Sequence, residues 1–227
     1  MDGKKILCAL GGNALLQPKQ KGTFEVQREN TRVSCSHLAK LVKAGYDLLL
    51  THGNGPQVGA IYKQNELAAA EVPQMPLFIN GAETQGFVGF MVAQEMGKAF
   101  REEGIKKNVA CVVSQSIVDR NDTAFQNPAK PVGRFLSREE AEVAKKDGHS
   151  VMEDAGRGYR IVVPSPQPLR IVEEETIRSL YTQGTCVVAC GGGGIPVFED
   201  ESGHLSGVDA VIDKDLCGSV LGLAMGV

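Results

Sequence analysis

Short apolar runs that stop at glycine set the rhythm of this chain. Ile6-Leu7-Cys8-Ala9-Leu10 ends in Gly11-Gly12-Asn13. Leu48-Leu49-Leu50 ends in Thr51-His52-Gly53-Asn54-Gly55, and Cys186-Val187-Val188-Ala189-Cys190 ends in Gly191 to Gly194. Runs of this length and composition read as buried strands. Strands are predicted over 4–10, 46–51, 108–114, 160–163 and 185–190. Between them the apolar spacing turns helical. Val26, Val33, Leu38, Leu41 and Val42 mark a helix over 24–44, closed by Gly45. Pro56 opens a helix to about Ala70, where its missing N–H costs nothing. Residues 82–103 carry Phe87, Phe90, Met91, Met96 and Phe100 as the core-facing side of a long helix. Further helices are expected over 173–183 and within 211–225.

Strands alternating with helices imply an α/β fold, an open and mainly parallel sheet covered on both faces. Ligands in such sheets bind beyond the carboxyl ends of the strands, where all three glycine turns lie. The pattern breaks between about 120 and 165. Asp119 to Pro131 is polar with two prolines, Ser137-Arg138-Glu139-Glu140 is a capping box opening a short charged helix to Asp147, and 152–160 is charged and glycine-rich. This stretch is expected to form an inserted, protruding subdomain on a single domain over 1–227. Pro164, Pro166 and Pro168 argue against regular structure just after it.

Composition removes several classes of function. A net charge of −3 and the absence of Trp give nothing for nucleic acid to bind, and no apolar run is long enough to span a membrane. The apolar start breaks at Gly11-Gly12, too early for a secretion signal. The six cysteines form no CxxC, and most sit in apolar strand runs, which fits reduced, buried thiols in a cytoplasmic protein. Cys217, on a helix near the glycine turns, is the candidate for a reactive thiol.

The glycine turns let backbone N–H groups approach an anion closely. Neither GxGxxG nor GxxxxGK[ST] occurs, so dinucleotide binding of the Rossmann type and a P-loop are both unsupported. His52-Gly53-Asn54-Gly55-Pro56 aims N–H groups and a positive helix end at one spot. His52 reads better as a residue that holds the loop than as a general base. Lys130 stands between Pro128 and Pro131 on stiffened backbone, and Lys214 stands between Asp213 and Asp215, with Asp213 a candidate to orient it. Glycine turns, two placed lysines and an aspartate make a set suited to phosphoryl transfer, which needs alignment and charge neutralisation. No nucleophile motif is present, which suits an acceptor that is already an anion.

ALGGNAL (9–15), THGNGPQVG (51–59), NPAKPVG (127–133), CGGGGIPV (190–197) and GVDAVIDKDL (207–216) together resemble the carbamate kinases of the amino acid kinase fold family. The resemblance implies an open αβα sandwich with a protruding subdomain over the substrate site. It also implies a homodimer and the reversible reaction of ATP with carbamate to give ADP and carbamoyl phosphate, often run toward ATP at the end of arginine breakdown. Gly11, Gly12, Asn13, Gly53, Asn54 and Gly55 would then hold the acceptor and transferred group. Lys130 and Lys214 would neutralise that group, Asp213 would organise Lys214, and Gly191, Gly192, Gly193 and Gly194 would lie beneath the phosphates. Mg²⁺ would arrive on the nucleotide with few protein ligands.

The family's last segment, which supplies most of the adenine pocket and another lysine, has no counterpart before Val227. The expectation is a chain without its C-terminal part, with weak ATP binding and little turnover. Kinases of amino acid carboxylates or of UMP, siblings within the fold, form one alternative. A non-catalytic sensor of carbamoyl phosphate or nucleotide forms another, which the two retained lysines disfavour.

Overall fold

The period-2 alternation of a strand decides which helix each of its apolar residues meets. The computed structural model describes residues 4–227. In chain order these form β1 (Lys4–Leu10), α1 (Gly12–Leu15), α2 (Phe24–Lys43), β2 (Tyr46–His52), α3 (Gly55–Ala68), α4 (Leu77–Glu102), β3 (Val109–Cys111) and β4 (Gln115–Val118). There follow β5 (Lys130–Leu136), α5 (Arg138–Lys146), β6 (Val151–Glu153), β7 (Tyr159–Val163), β8 (Pro168–Ile171), α6 (Glu174–Thr182), β9 (Cys186–Val188), β10 (Ile195–Glu199), β11 (Leu205–Gly207) and α7 (Lys214–Met225).

The first sheet runs β1-β2-β9-β3 and is parallel throughout. Leu48, Leu50, Cys186 and Val188 pack on one side against Cys35, Leu38 and Ala39 of α2 and Val88, Met91, Val92 and Met96 of α4. Leu49 and Val187, one residue out of phase, pack on the other side against Ile177 and Tyr181 of α6 and Cys217, Leu221 and Met225 of α7. Both faces are therefore covered, as continuous apolar strands require.

A second sheet runs β11-β10-β4-β8, with β10 parallel to β4 and both outer strands antiparallel to their neighbours. Residues 130–163 add a three-stranded antiparallel sheet, β5-β7-β6, backed by α5. Its core joins Val132, Leu136 and Ile161 to Val58 and Tyr62 of α3. The Ser137–Glu140 capping box closes as the sequence suggests, each side chain bonding the other residue's backbone N–H.

Some elements differ from the expectation. The strand expected over 108–114 divides into β3 and β4, which belong to different sheets; Ser114 turns the chain between them, its N–H held by Gln85 Oε1 at 2.8 Å. The long helix starts at Leu77, five residues early, because Pro76 serves as its N-cap. Pro168 opens a strand instead of preventing one, a position where its missing donor is tolerated. The hairpin of β10 and β11 went unforeseen, since β11 is exposed along its whole length and carries no apolar pattern.

Candidate functional site

Three parallel strands deliver their glycine ends to one place. After β1 the chain enters α1 at Gly12, after β2 it turns through Gly53 and Asn54 into α3, and after β9 it turns through Gly191–Gly193. Hydrogen bonds bind the turns together. The Gly53 N–H donates to the Leu10 carbonyl at 2.8 Å, and Thr51 Oγ1 donates to the Cys190 carbonyl at 3.0 Å. Asn54 Nδ2 reaches Thr84 Oγ1 on α4 at 2.7 Å. No side chain caps the start of α3, so its first N–H groups and positive end face the site.

The turns form one wall of a cavity of about 640 Å³. Gly12, Gly53, Asn54, Gly55 and Gly192 line that wall, Asp213 and Lys214 flank it, and Lys130, Gly133, Arg134 and Arg160 face it from the three-stranded sheet. Gly11, Asn13, Gly191, Gly193 and Gly194 do not line it. Asn13 points to solvent. The four-glycine turn is bare chiefly because it is crowded. A Cβ on Gly191 would overlap the His52 ring, one on Gly192 the Asn54 amide, and one on Gly194 Ser116 Oγ. Only Gly192 of the four reaches the main cavity.

The lysines sit differently from the sequence expectation. Asp213 Oδ2 takes its ion pair from Lys130 Nζ at 2.9 Å, across 83 residues of chain. Its Oδ1 caps α7 by accepting the Asp215 N–H at 2.9 Å. Lys214 Nζ pairs with Asp215 Oδ1 at 2.7 Å, so Asp213 orients Lys214 through the helix start and not by direct contact. The hydrogen bond from Lys130, then the Asp215 N–H, hold the Asp213 carboxyl below its ordinary range. The stem of Lys214 lies over Gly53, where an added Cβ would stand 3.4 Å from Cδ.

His52 is 1% exposed, with Nδ1 placed 3.0 Å from the Gly53 carbonyl oxygen, so an Nδ1–H donates there. That arrangement suits a loop brace, not a base. Burial pushes its pKa down. Above the unfolded value of 6.5 the group is neutral in both states and folding is not penalised. As pH falls through that value the unfolded chain takes up a proton that the folded chain refuses, and stability drops until the folded pKa is passed. The urea midpoint is accordingly expected to fall less between pH 7.5 and 5.5 in His52→Gln than in the unaltered chain; equal slopes would contradict this account. Cys217, the other candidate for chemistry, is fully buried, its Sγ 3.4 Å from Ser116 Oγ. A hydrogen bond from Cys190 lowers its pKa, but no face is open to an electrophile.

Arg134 and Arg160 escaped sequence reasoning. An arginine on a short strand has no motif around it, and only the fold of residues 130–163 turns both toward the glycine wall. Among the described residues no group of three or more His, Cys, Asp or Glu is placed to hold a metal ion. The one carboxylate on the cavity wall, Asp213, already has both oxygens engaged.

Glycine turns at parallel strand ends, opposed by lysines from separate elements, define a phosphate-handling α/β protein. The model of the amino acid kinase family matches residues 4–227, and the chain belongs to that family. The branch it falls in is that of the carbamate kinases. It is 56% identical to the carbamate kinase of Trichomonas vaginalis over 97% of this chain and 71% of that protein, and 50% identical to that of Thermococcus kodakarensis over 96% and 70%. Among solved structures, carbamate kinase from Giardia lamblia bound to AMP-PNP superposes with a TM-score of 0.91 at 48% identity, over 99% of this chain and 71% of that one.

Proposed function

We propose that this chain carries the acceptor site of a carbamate kinase, which moves a phosphoryl group reversibly between ATP and carbamate to give ADP and carbamoyl phosphate. The observation that carries the reading is the meeting of Lys130, Asp213 and Lys214 with Gly12, Gly53 and Gly192 in one cavity. A carbamate oxygen is already anionic and attacks phosphorus without a general base, in keeping with a braced His52. The backbone N–H groups of the turns and the start of α3 cradle the phosphoryl oxygens. Lys214 and Lys130, from opposite walls, offset charge that spreads over those oxygens in the transition state. The bound AMP-PNP of the Giardia relative supports ATP and ADP as the nucleotide pair.

Mg²⁺ fits this wall as a passenger on the nucleotide. Asp213, with both oxygens engaged, is the carboxylate near enough to help hold it, directly or through water, and Mg²⁺ characteristically keeps several waters. When bound, it supplies charge neutralisation on the phosphates. Product assays with carbamate, acetylglutamate, glutamate, aspartate and UMP test the acceptor. Whatever turnover is measured is expected with carbamate and not with the other acceptors; preference for another acceptor would transfer the chain to a sibling activity.

A role in arginine breakdown by the arginine deiminase pathway and a cytoplasmic location belong to the same reading. Six free thiols support the latter, and no described helix is long and apolar enough to cross a membrane. Residues 120–165 act in it as the subdomain that covers the substrate. A homodimer is supported by β3, an edge strand of the first sheet, and by Phe90 and Val113, which stand exposed beside it. Phe90→Asp is expected to shift the chain toward monomer in sedimentation velocity. An unchanged dimer would place the interface elsewhere.

A further inference from the structure

Asparagine is among the best residues for capping a helix, its side-chain oxygen accepting an N–H of the first turn. Asn54 stands at the N-cap of the 14-residue α3 and does not cap it. Pro56 brings no N–H to that turn, and the Val58 N–H is taken by the Asn54 carbonyl at 2.8 Å. The N–H groups of Gly55 and Gln57 remain, and among the described residues neither meets an acceptor. Gln57 holds the third helical position, where a capping oxygen ordinarily bonds.

Thr84 of α4 explains the idle cap. It is fully buried, and its hydroxyl donates to the Gly81 carbonyl one turn back at 2.7 Å. With its proton committed there, the hydroxyl meets Asn54 only as an acceptor and takes Nδ2 at 2.7 Å. The same amide lies against the bare backbone of Gly192, where an added Cβ would overlap it. The side chain is thus held toward α4 and the four-glycine turn. An anion in the cavity competes with no side-chain oxygen for the positive end of α3.

We infer that Thr84 is a positioning residue for phosphoryl binding: by holding the Asn54 amide it keeps the start of α3 uncapped and open to the anion. The inference rests on the acyl-phosphate reading above. It adds to that reading a residue that does not itself line the cavity. A stabilising cap is forgone at the one helix end where the ligand supplies the acceptor.

Thr84→Val removes the acceptor and keeps the shape. The freed amide then turns to cap Gln57, in competition with the anion. Calorimetric titration with inorganic phosphate and, separately, with carbamoyl phosphate is expected to show affinity lowered about five- to thirtyfold for both. Melting temperature without ligand is expected to stay within about 2 °C of the unaltered protein or to rise, because a cap replaces the lost bond. Thr84→Ser, which keeps the hydroxyl, is expected to restore most of the affinity. In an Asn54→Ala background Thr84→Val is expected to change affinity no further, because Thr84 acts through that amide. Should Thr84→Val not fold, Thr84→Ala, which adds no bulk, carries the affinity comparison. Unchanged affinity in the folded variants, or an equal loss in the Asn54→Ala background, would overturn the inference and leave the kinase reading standing. Failure of the unaltered protein to bind either anion would instead remove the acyl-phosphate reading, and this inference with it.

Discussion

Lys214→Ala is expected to lower the turnover number for ATP formation from ADP and carbamoyl phosphate about a hundred- to thousandfold, the usual cost of removing one group aimed at developing charge. Lys214 heads α7, its stem lies over Gly53, and its amine opens on the cavity beside the glycine turns. Its partner Asp215 is 70% exposed in the side chain, so the pair is readily exchanged for a phosphoryl oxygen. The Michaelis constant for carbamoyl phosphate is expected to move far less than turnover, because the charge to be offset spreads over the oxygens mainly in the transition state. A protein that only senses carbamoyl phosphate would show the reverse: weakened binding and no turnover to lose. Steady-state kinetics on the folded variant separates the two outcomes, and turnover within about threefold of the unaltered protein would remove Lys214 from the mechanism.

Gly193→Ala is expected to destabilise the fold by about 3 kcal/mol, from a strained backbone conformation added to overpacking. Gly193 has φ of +95°, and a Cβ there would stand 2.5 Å from the Ile212 carbonyl oxygen. That contact is backbone to backbone, so no side-chain rotation relieves it. Ile212 directly precedes Asp213 and Lys214, and the strain therefore acts on the end of α7 that lines the cavity. A drop of roughly 6–12 °C in melting temperature follows for a chain of this size, together with a loss of turnover in whatever fraction remains folded. A variant melting within about 2 °C of the unaltered protein would mean that the turn and the start of α7 move apart freely.

Both predictions show how far local pattern reaches. Continuous apolar runs placed β1, β2 and β9 closely, a period-3.6 stripe placed α2, and Pro56 marked the start of α3, because buried elements and capped helix starts leave a local signature. The glycine ends of the three strands were visible for the same reason, being abrupt stops in apolar runs. The elements that escaped include α1, β5, β6, β8, β10 and β11; most are short or exposed, and β5 carries Pro131 and Gly133, so little in their composition departs from that of a loop. The start of α4 was lost to a proline that reads equally as a loop residue and as a cap.

In the site the division is sharper. Sequence by itself determined which backbone turns are bare and which lysines stand on stiff or capped segments, since these depend on neighbours within a few residues. It also determined the αβα class, which follows from alternation alone. Only the tertiary structure decided who partners whom. Asp213 and Lys130 meet across 83 residues, Gly191 and Gly194 turn out to be packing contacts for His52 and Ser116, and Thr84 draws off the amide of Asn54. The physical reason is that an ion pair's energy depends on a distance of a few ångströms. Between residues far apart in the chain that distance is set by how the sheets and helices pack, and no local pattern records it.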